Sequence, residues 1–326
     1  MAPITLLEAI RQGLWEEMER DERVFMLGED IGAYGGAFKM TEGFLARFGE
    51  NRVIDTPISE SAIVGAACGA AMMGMRPVAE MQFIDFISCC FDMLTNYAAK
   101  SRYRQGIGIP IVVRGPCGGG VHGGPFHSQN VESFFLNTPG LKMVEPSTPY
   151  DAKGLIKAAI RDDDPVLFFE HKLLYRSPKV KQEVPDEDYI VPLGKAAIRR
   201  EGRDITIITY GAMVYVALDA AEKMEKEGVD AEVIDLRTLL PFDRPAIIES
   251  VKKTNKVMIL HEATRTGGMA GELTSVINEE AFEYLDGPVL RVTSIDTPVP
   301  YAPPLEEFFL PQVDDVLKAA RELAAY

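Results

Sequence analysis

Residues 52–71 read RVIDTPISESAIVGAACGAA, and the fold follows from how that stretch divides. Val53-Ile54-Asp55 has the character of a strand end. Thr56-Pro57 keeps a helix from starting early, because a residue before proline is pushed out of the α region. Ser59 then stands as the natural N-cap, and Glu60 to Met73 is a predicted helix built largely of alanine and glycine. Glu60 falls in its first turn, where the aligned peptide dipoles favour a negative charge. By itself that is ordinary. However, Ala62, Gly65, Ala66, Ala67, Gly69 and Ala70 put no bulk on any face, so a helix packed closely on all sides is expected. A carboxylate leading such a helix from a strand's C-terminal end lies where open α/β sheets bind ligands. Glu60 is therefore a candidate site acid.

Working outward, strands and helices alternate. Val24 to Leu27, Pro77 to Gln82, Ile109 to Arg114, Lys142 to Glu145 and Val166 to Glu170 read as strands, and Thr5 to Arg20, Phe83 to Lys100 and Pro149 to Ile160 as helices. That order predicts an α/β fold with a doubly wound, mostly parallel sheet. Tyr175 to Pro192 mixes prolines and charges without periodicity and is the expected linker. The division is then residues 1–176, a linker over 177–192, and a smaller α/β domain over 193–326. In that second domain Asp204 to Thr209, Asp230 to Asp235, Lys256 to Leu260 and Leu290 to Ser294 are predicted strands, and Val313 to Ala325 is a closing helix.

At 326 residues the chain exceeds one ordinary core. Its net charge of −15 argues against nucleic acid or an anionic membrane as the main partner. The N-terminus is an acidic amphipathic pattern rather than a signal peptide. No apolar run approaches the roughly 18 residues that span a bilayer. Cys68, Cys89, Cys90 and Cys117 show no CxxC spacing, which fits a reduced intracellular setting: cytoplasm, or mitochondrial matrix in a eukaryote.

Several formal motifs carry little. Gly118, Gly120 and Gly123 satisfy GxGxxG after a strand, but Gly124-Pro125 stands where the dinucleotide-binding helix should open. His261-Glu262 starts like a zinc-protease motif, yet position 265 is arginine, so the second histidine is missing. Asp162-Asp163-Asp164 before Pro165 reads most simply as a solvated turn. More informative is Gly115 to Asn130, GPCGGGVHGGPFHSQN, with six glycines in sixteen residues. Glycine lets a backbone approach a ligand closely, and Phe126-His127-Ser128-Gln129 offers an imidazole between hydrogen-bonding side chains. The loop leaves a predicted strand's C-terminus, the same edge as Glu60, with Gln82 and Phe86 after a third strand. Together these groups suggest a cleft.

Asp55-Thr56-Pro57-Ile58-Ser59-Glu60, the strand Pro77 to Phe83, Phe126 to Gln129, Pro149 to Gly154, Asp235 to Leu239 and Asp296 to Tyr301 together resemble one family over essentially the whole chain. It is the β subunits of the thiamine-diphosphate-dependent 2-oxo acid dehydrogenases, the first components of the pyruvate, branched-chain and acetoin dehydrogenase complexes. The resemblance implies a transketolase-like pyrimidine-binding domain followed by a transketolase C-terminal domain. It implies that Glu60 hydrogen-bonds the aminopyrimidine of thiamine diphosphate and favours its imino form. Ile58 would line that pocket, Gln82 would bond the cofactor or the partner chain, and Phe86 would stack on the ring, where relatives carry tyrosine. His127 would donate a proton during acyl transfer to a lipoyl group.

The family holds the diphosphate through Mg²⁺ on a Gly-Asp-Gly segment, which this sequence lacks. An α subunit is therefore expected to supply it in an α₂β₂ heterotetramer. The resemblance also implies a structural K⁺ at the carbonyls of Ile111, Val112 and Ala159 with Asp162 and Asp164. Docking of the lipoyl acyltransferase through its basic peripheral-subunit-binding domain is expected at Asp296 and the C-terminal Tyr326. Two other readings stand beside this one. A non-catalytic interaction subunit would not need both Glu60 and His127, and a self-sufficient transketolase-type enzyme would need its own metal motif. Pyruvate, branched-chain 2-oxo acids and acetoin all remain open as substrates.

Overall fold

The computed structural model describes residues 2–326 and separates into two compact units. The first comprises residues up to Cys117 together with Phe134–Leu193. The second comprises Gly118–Ser133 and Gly194–Tyr326.

In the N-terminal unit the strands are β1 (Val24–Gly28), β2 (Val53–Asp55), β3 (Arg76–Glu80), β4 (Val112–Cys117), β5 (Lys142–Val144) and β6 (Val166–His171). They run in the order β5-β6-β4-β3-β1-β2, with every neighbouring pair parallel. β1, β4 and β6 are buried along their whole length, as strands covered on both faces must be. From β1 the chain moves outward to β2, then crosses back to β3 and continues the other way. The sheet's topological switch point thus lies between β1 and β3, the crevice where open α/β sheets take ligands.

Two helices on one face are closely matched. Helix α1 (Leu6–Arg20) opens with a capping box, in which the Thr5 hydroxyl accepts from the Glu8 N–H at 3.2 Å and Glu8 accepts from the Thr5 N–H at 2.7 Å. Its apolar stripe, Leu6, Ile10, Leu14 and Met18, packs toward α5 (Pro149–Arg161), whose residues are almost all buried. Gly13 lets the two approach, because a Cβ there would lie 2.5 Å from Ile156 Cγ2. Lys153 and Lys157 of α5 are buried too, with their ammonium groups on Glu16 at 2.7 and 2.5 Å.

Local chemistry moves several boundaries away from the sequence expectation. Pairing in β4 begins at Val112 rather than Ile109, because Pro110 has no N–H to give a ladder. Instead of one helix from Phe83, a 3₁₀ turn spans Ile84–Cys90, and a wide turn over Met93–Ala98 leads into helix Ala99–Gln105. Thr95 contributes to that irregularity by donating its hydroxyl to the Phe91 carbonyl at 2.8 Å. The segment read as a linker lies against the N-terminal unit. Val180, Val184 and Val191 are buried, Asp188 meets Lys157 at 2.6 Å and Arg161 at 2.8 Å, and Tyr189 stacks on Tyr150.

The second unit holds strands over Ala197–Arg200 (β7), Ile205–Thr209 (β8), Ala231–Asp235 (β9), Thr238–Leu240 (β10), Val257–Thr264 (β11) and Leu290–Ser294 (β12). Its sheet runs β12-β11-β8-β9-β7, parallel except for the edge strand β7. β7 was not anticipated. It is held in part by Arg199, which donates to the fully buried Asp235 at 2.7 Å. A helix over Pro303–Phe309 was also unforeseen; its two leading prolines suit a first helical turn.

The most demanding feature of the N-terminal core is Arg114, 1% exposed in the middle of β4. Its guanidinium donates to both oxygens of Glu170 on β6, at 2.5 and 2.6 Å, and also pairs with Glu80 at the end of β3. Tyr175 donates its hydroxyl to Glu170 at 2.6 Å. Burial pushes the Glu80 carboxyl up, more than Arg114 pulls it down. Replacing Arg114 by methionine would strand two carboxylates in a dry core, which costs about 3–5 kcal/mol. Urea unfolding of Arg114→Met should show that loss, and a change below about 1 kcal/mol would mean the cluster is not the constraint described.

Candidate active site

Glu60 is the first residue of helix α3 (Glu60–Met72), which follows β2. It is half-buried, and its carboxylate has no hydrogen-bond or ion-pair partner among the described residues. The turn before it is tied to β1, the Thr56 N–H donating to the Gly28 carbonyl at 2.9 Å. Ser59 does not cap: its side chain bonds no helix N–H, and only its carbonyl receives the first helical bonds. The expectation of packing on all sides also fails within this chain. Ile63, Val64, Ala67, Cys68 and Ala71 are buried, but Ser61, Ala62, Ala66 and Gly69 are exposed, and a Cβ at Gly69 would meet nothing within 4 Å. Small side chains permit close packing without supplying it.

Three other nominated groups share that edge of the sheet. Ile58 is 83% exposed. Gln82, just beyond β3, donates to Asp30 at 3.3 Å, so it spans the switch-point crevice to the residues after β1. Phe86 lies half-buried in the 3₁₀ turn that follows. One group was missed. Glu29, directly after β1, is 7% exposed, and its Oε1 has no hydrogen-bond partner. Burial first, then the neighbouring Glu60 and Asp30, push its carboxyl above the ordinary range. In the sequence the acidic pair Glu29-Asp30 shows only as the end of a strand.

His127 lies in the stretch Gly118–Ser133, which packs with the second unit rather than with the sheet that β4 belongs to. Its half-buried position is fixed by the loop: Gly118 N–H donates to the Gln129 carbonyl at 3.0 Å, and Gly123 N–H to Ser128 Oγ at 3.1 Å. His261 is a different kind of histidine. It is fully buried, and desolvation pushes it down to about 4, so it stays neutral.

The set nominated for a monovalent cation lies together in the N-terminal unit, with competing partners. Ile111 carbonyl accepts from Val166 N–H at 2.9 Å, and Ala159 carbonyl from Asp162 N–H at 3.3 Å. Lys142 binds both carboxylate oxygens of Asp162 at 2.7 and 2.6 Å, while Arg102 binds Asp164 at 2.5 Å. Val112 is inside β4, paired on both sides. In the second unit Asp296 accepts from the N–H and hydroxyl of Thr266 at 2.8 and 2.6 Å, which hold its carboxyl below the usual range. Tyr326 is exposed, its ring beside Gly287.

Residues 2–178 match the family model "Transketolase, pyrimidine binding domain", and residues 194–316 match "Transketolase, C-terminal domain". The chain is 54% identical over 329 residues to the 2-oxoisovalerate dehydrogenase subunit beta of Bacillus subtilis (strain 168), covering 100% of both chains. It belongs to the β subunits of the 2-oxo acid dehydrogenases. Pyruvate dehydrogenase E1 component subunit beta of the same organism is 47% identical over 328 residues, again with both chains covered in full. A solved "Split gene transketolase, inactive beta4 tetramer" superposes with a TM-score of 0.81 over 99% of each chain at 24% identity, a likeness of fold.

Glu29 of this β subunit gives a pH test. The folded chain holds its proton more tightly than the unfolded one, so the carboxyl supports the fold fully below the ordinary glutamate range. It works against folding as pH rises through the elevated value. Glu29→Gln should therefore raise the unfolding midpoint at about pH 8 but not at about pH 4, by about 2–4 °C per kcal/mol relieved. Thermal melts at both pH values check this; an equal shift at both would remove the titration as its cause.

Proposed function

We propose that this β subunit contributes the pyrimidine-side acid and the acyl-transfer histidine of a thiamine-diphosphate-dependent 2-oxo acid dehydrogenase. The activity is oxidative decarboxylation of a 2-oxo acid with reductive acylation of a lipoyl group. The observation that carries it is Glu60: a half-buried, unpartnered carboxylate at the head of α3, next to the switch-point crevice. Such a carboxylate suits a protonated ring nitrogen, which it would bind by a strong charge-assisted hydrogen bond. Phe86 supplies an aromatic face and Gln82 an amide on the same edge. Those residues fit the aminopyrimidine half of the cofactor, which when bound supplies the nucleophilic carbon that attacks the 2-oxo group.

Glu60 holds the proton balance of the pyrimidine ring in that arrangement, and the buried Glu29 beside it has its carboxyl pushed upward by burial and by the Glu60 charge. His127, on its glycine-rich loop, donates the proton needed when the acyl group passes to the lipoyl sulfur. The Mg²⁺ and diphosphate are held by an α subunit, since no Gly-Asp-Gly stands in this chain. The exposed flank of α3, lined by Ala62, Ala66 and Gly69, suits close packing against that partner in an α₂β₂ assembly. A K⁺ at the carbonyls of Ile111, Val112 and Ala159 would share them with backbone N–H donors, and Asp162 and Asp164 would reach it only by leaving Lys142 and Arg102. Higher identity to the 2-oxoisovalerate subunit than to the pyruvate subunit favours a branched-chain substrate. Among the described residues no helix is long and apolar enough to cross a membrane.

Glu60→Gln keeps the volume but cannot balance a protonated ring nitrogen. Hydrogen–deuterium exchange at the thiazolium carbon, measured in the α/β complex with cofactor bound, should slow by about 10²–10⁴-fold. Near wild-type exchange would refute the role given to Glu60.

A basic domain of the acyltransferase component is expected to dock on Asp296 and the C-terminal carboxylate of Tyr326. Asp296→Ala, or removal of Tyr326, should weaken docking by up to about fivefold, the worth of an exposed ion pair, while decarboxylation is kept. Titration calorimetry with the isolated binding domain decides it, and unchanged affinity in both variants would move the docking surface elsewhere.

A further inference from the structure

His261-Glu262 lacks the partner a zinc site needs, and the structure gives Glu262 a different task. It stands near the end of β11, 6% exposed, and its Oε1 accepts from the Gly119 N–H at 2.6 Å and from Asn130 Nδ2 at 2.8 Å. Glu306, in the helix over Pro303–Phe309 and 1% exposed, completes the pattern. Its Oε1 accepts from the Gly120 N–H at 3.0 Å, and its Oε2 from the His122 N–H at 3.1 Å. The His122 ring lies on the same carboxylate, Nδ1 to Oε2 2.6 Å. Two buried carboxylates thus take three main-chain N–H groups from four consecutive residues, plus the amide of Asn130.

Such a loop does not hold itself. Gly118, Gly120 and Gly124 have positive φ, and so does His122 at +59°. A chain this permissive has the most freedom to lose on ordering. A buried carboxylate, in turn, is tolerable only where it is hydrogen-bonded. Each need answers the other. The fit is close, for a Cβ on Gly119 would lie 3.4 Å from an oxygen of Glu262 and of Glu306, and one on Gly124 would strike the Tyr301 ring at 2.2 Å. Further along, Tyr210 donates its hydroxyl to Glu132 at 2.6 Å and fixes the far end.

We propose that Glu262 and Glu306 are positioning residues for acyl transfer: their carboxylates set the main chain of residues 118–130 and so fix where the His127 imidazole stands. This rests on the reading of His127 as the proton donor. Neither glutamate touches the reacting groups in this scheme, and each acts through the backbone it binds. Leucine at either position removes the acceptor, whereas glutamine keeps an acceptor oxygen and drops the charge.

The test uses the α/β complex with Glu262→Leu, Glu306→Leu, the two Gln variants and His127→Ala. Hydrogen–deuterium exchange over residues 118–130 reads the loop. Acylation of a lipoyl domain, against decarboxylation with an artificial electron acceptor, reads the chemistry. Expected are faster exchange in both Leu variants and at least about a tenfold lower kcat for acylation, equivalent to one lost hydrogen bond to a charged group. KM for the lipoyl domain and decarboxylation should change little, and the Gln variants should lie between Leu and wild type. If a Leu variant does not assemble, faster loop exchange with slower acylation in the Gln variants supports the proposal, and wild-type values in both overturn it. Leu variants with wild-type acylation beside an impaired His127→Ala overturn the positioning role alone. Wild-type acylation by His127→Ala overturns the reading of His127 and the proposal with it.

Discussion

One guanidinium ties together the strand ends on which the N-terminal unit depends. Arg114 sits between Glu170 and Glu80 and so fixes β3, β4 and β6 relative to one another where the chain leaves the sheet. The residues beyond β3 are Gln82 and Phe86, and those beyond β4 enter the glycine-rich stretch. With two carboxylates on one buried cation, the cluster is intolerant of change, and Tyr175 adds a hydroxyl to the more heavily bonded of the two. A parallel sheet brings all its C-terminal ends to one edge, and the cluster adds a side-chain tie to the ladder pairing of three of its strands.

The same economy recurs in the C-terminal unit with the signs reversed. There the acids are the fixed points, and the backbone supplies the donors. Glu262 and Glu306 are held by their own elements, β11 and the helix over Pro303–Phe309, and the glycine-rich stretch is shaped around them. Where the N-terminal unit uses a cation to hold strands, this unit uses carboxylates to hold a loop. A β subunit assembled in this way carries acids and an imidazole but no metal-binding Gly-Asp-Gly, consistent with the half-site that its family implies.

Much of the fold was legible because it is written in local chemistry. Thr56-Pro57 and the run of small residues located α3 and Glu60, and alternating apolar runs gave the parallel sheet. Signals failed where they were long-range. Pro110 delayed β4, the antiparallel edge β7 is held partly through Arg199 and Asp235, and the stretch 175–192 looked like a tether although its valines are buried. Glu29 was hidden because burial, not sequence, makes it unusual. Glu262 was discounted for the histidine that does not follow it, since no spacing rule records a carboxylate that binds a glycine N–H 143 positions away.

The central claim is that this chain offers the pyrimidine-side acid but not the diphosphate and metal site. Titration calorimetry of thiamine diphosphate with Mg²⁺ tests it directly, first into the β subunit alone and then into an equimolar mixture with its α partner. The account predicts no measurable Mg²⁺-dependent binding by the β subunit alone and saturable binding once the α subunit is added. Tight, Mg²⁺-dependent binding to the β subunit by itself would contradict it.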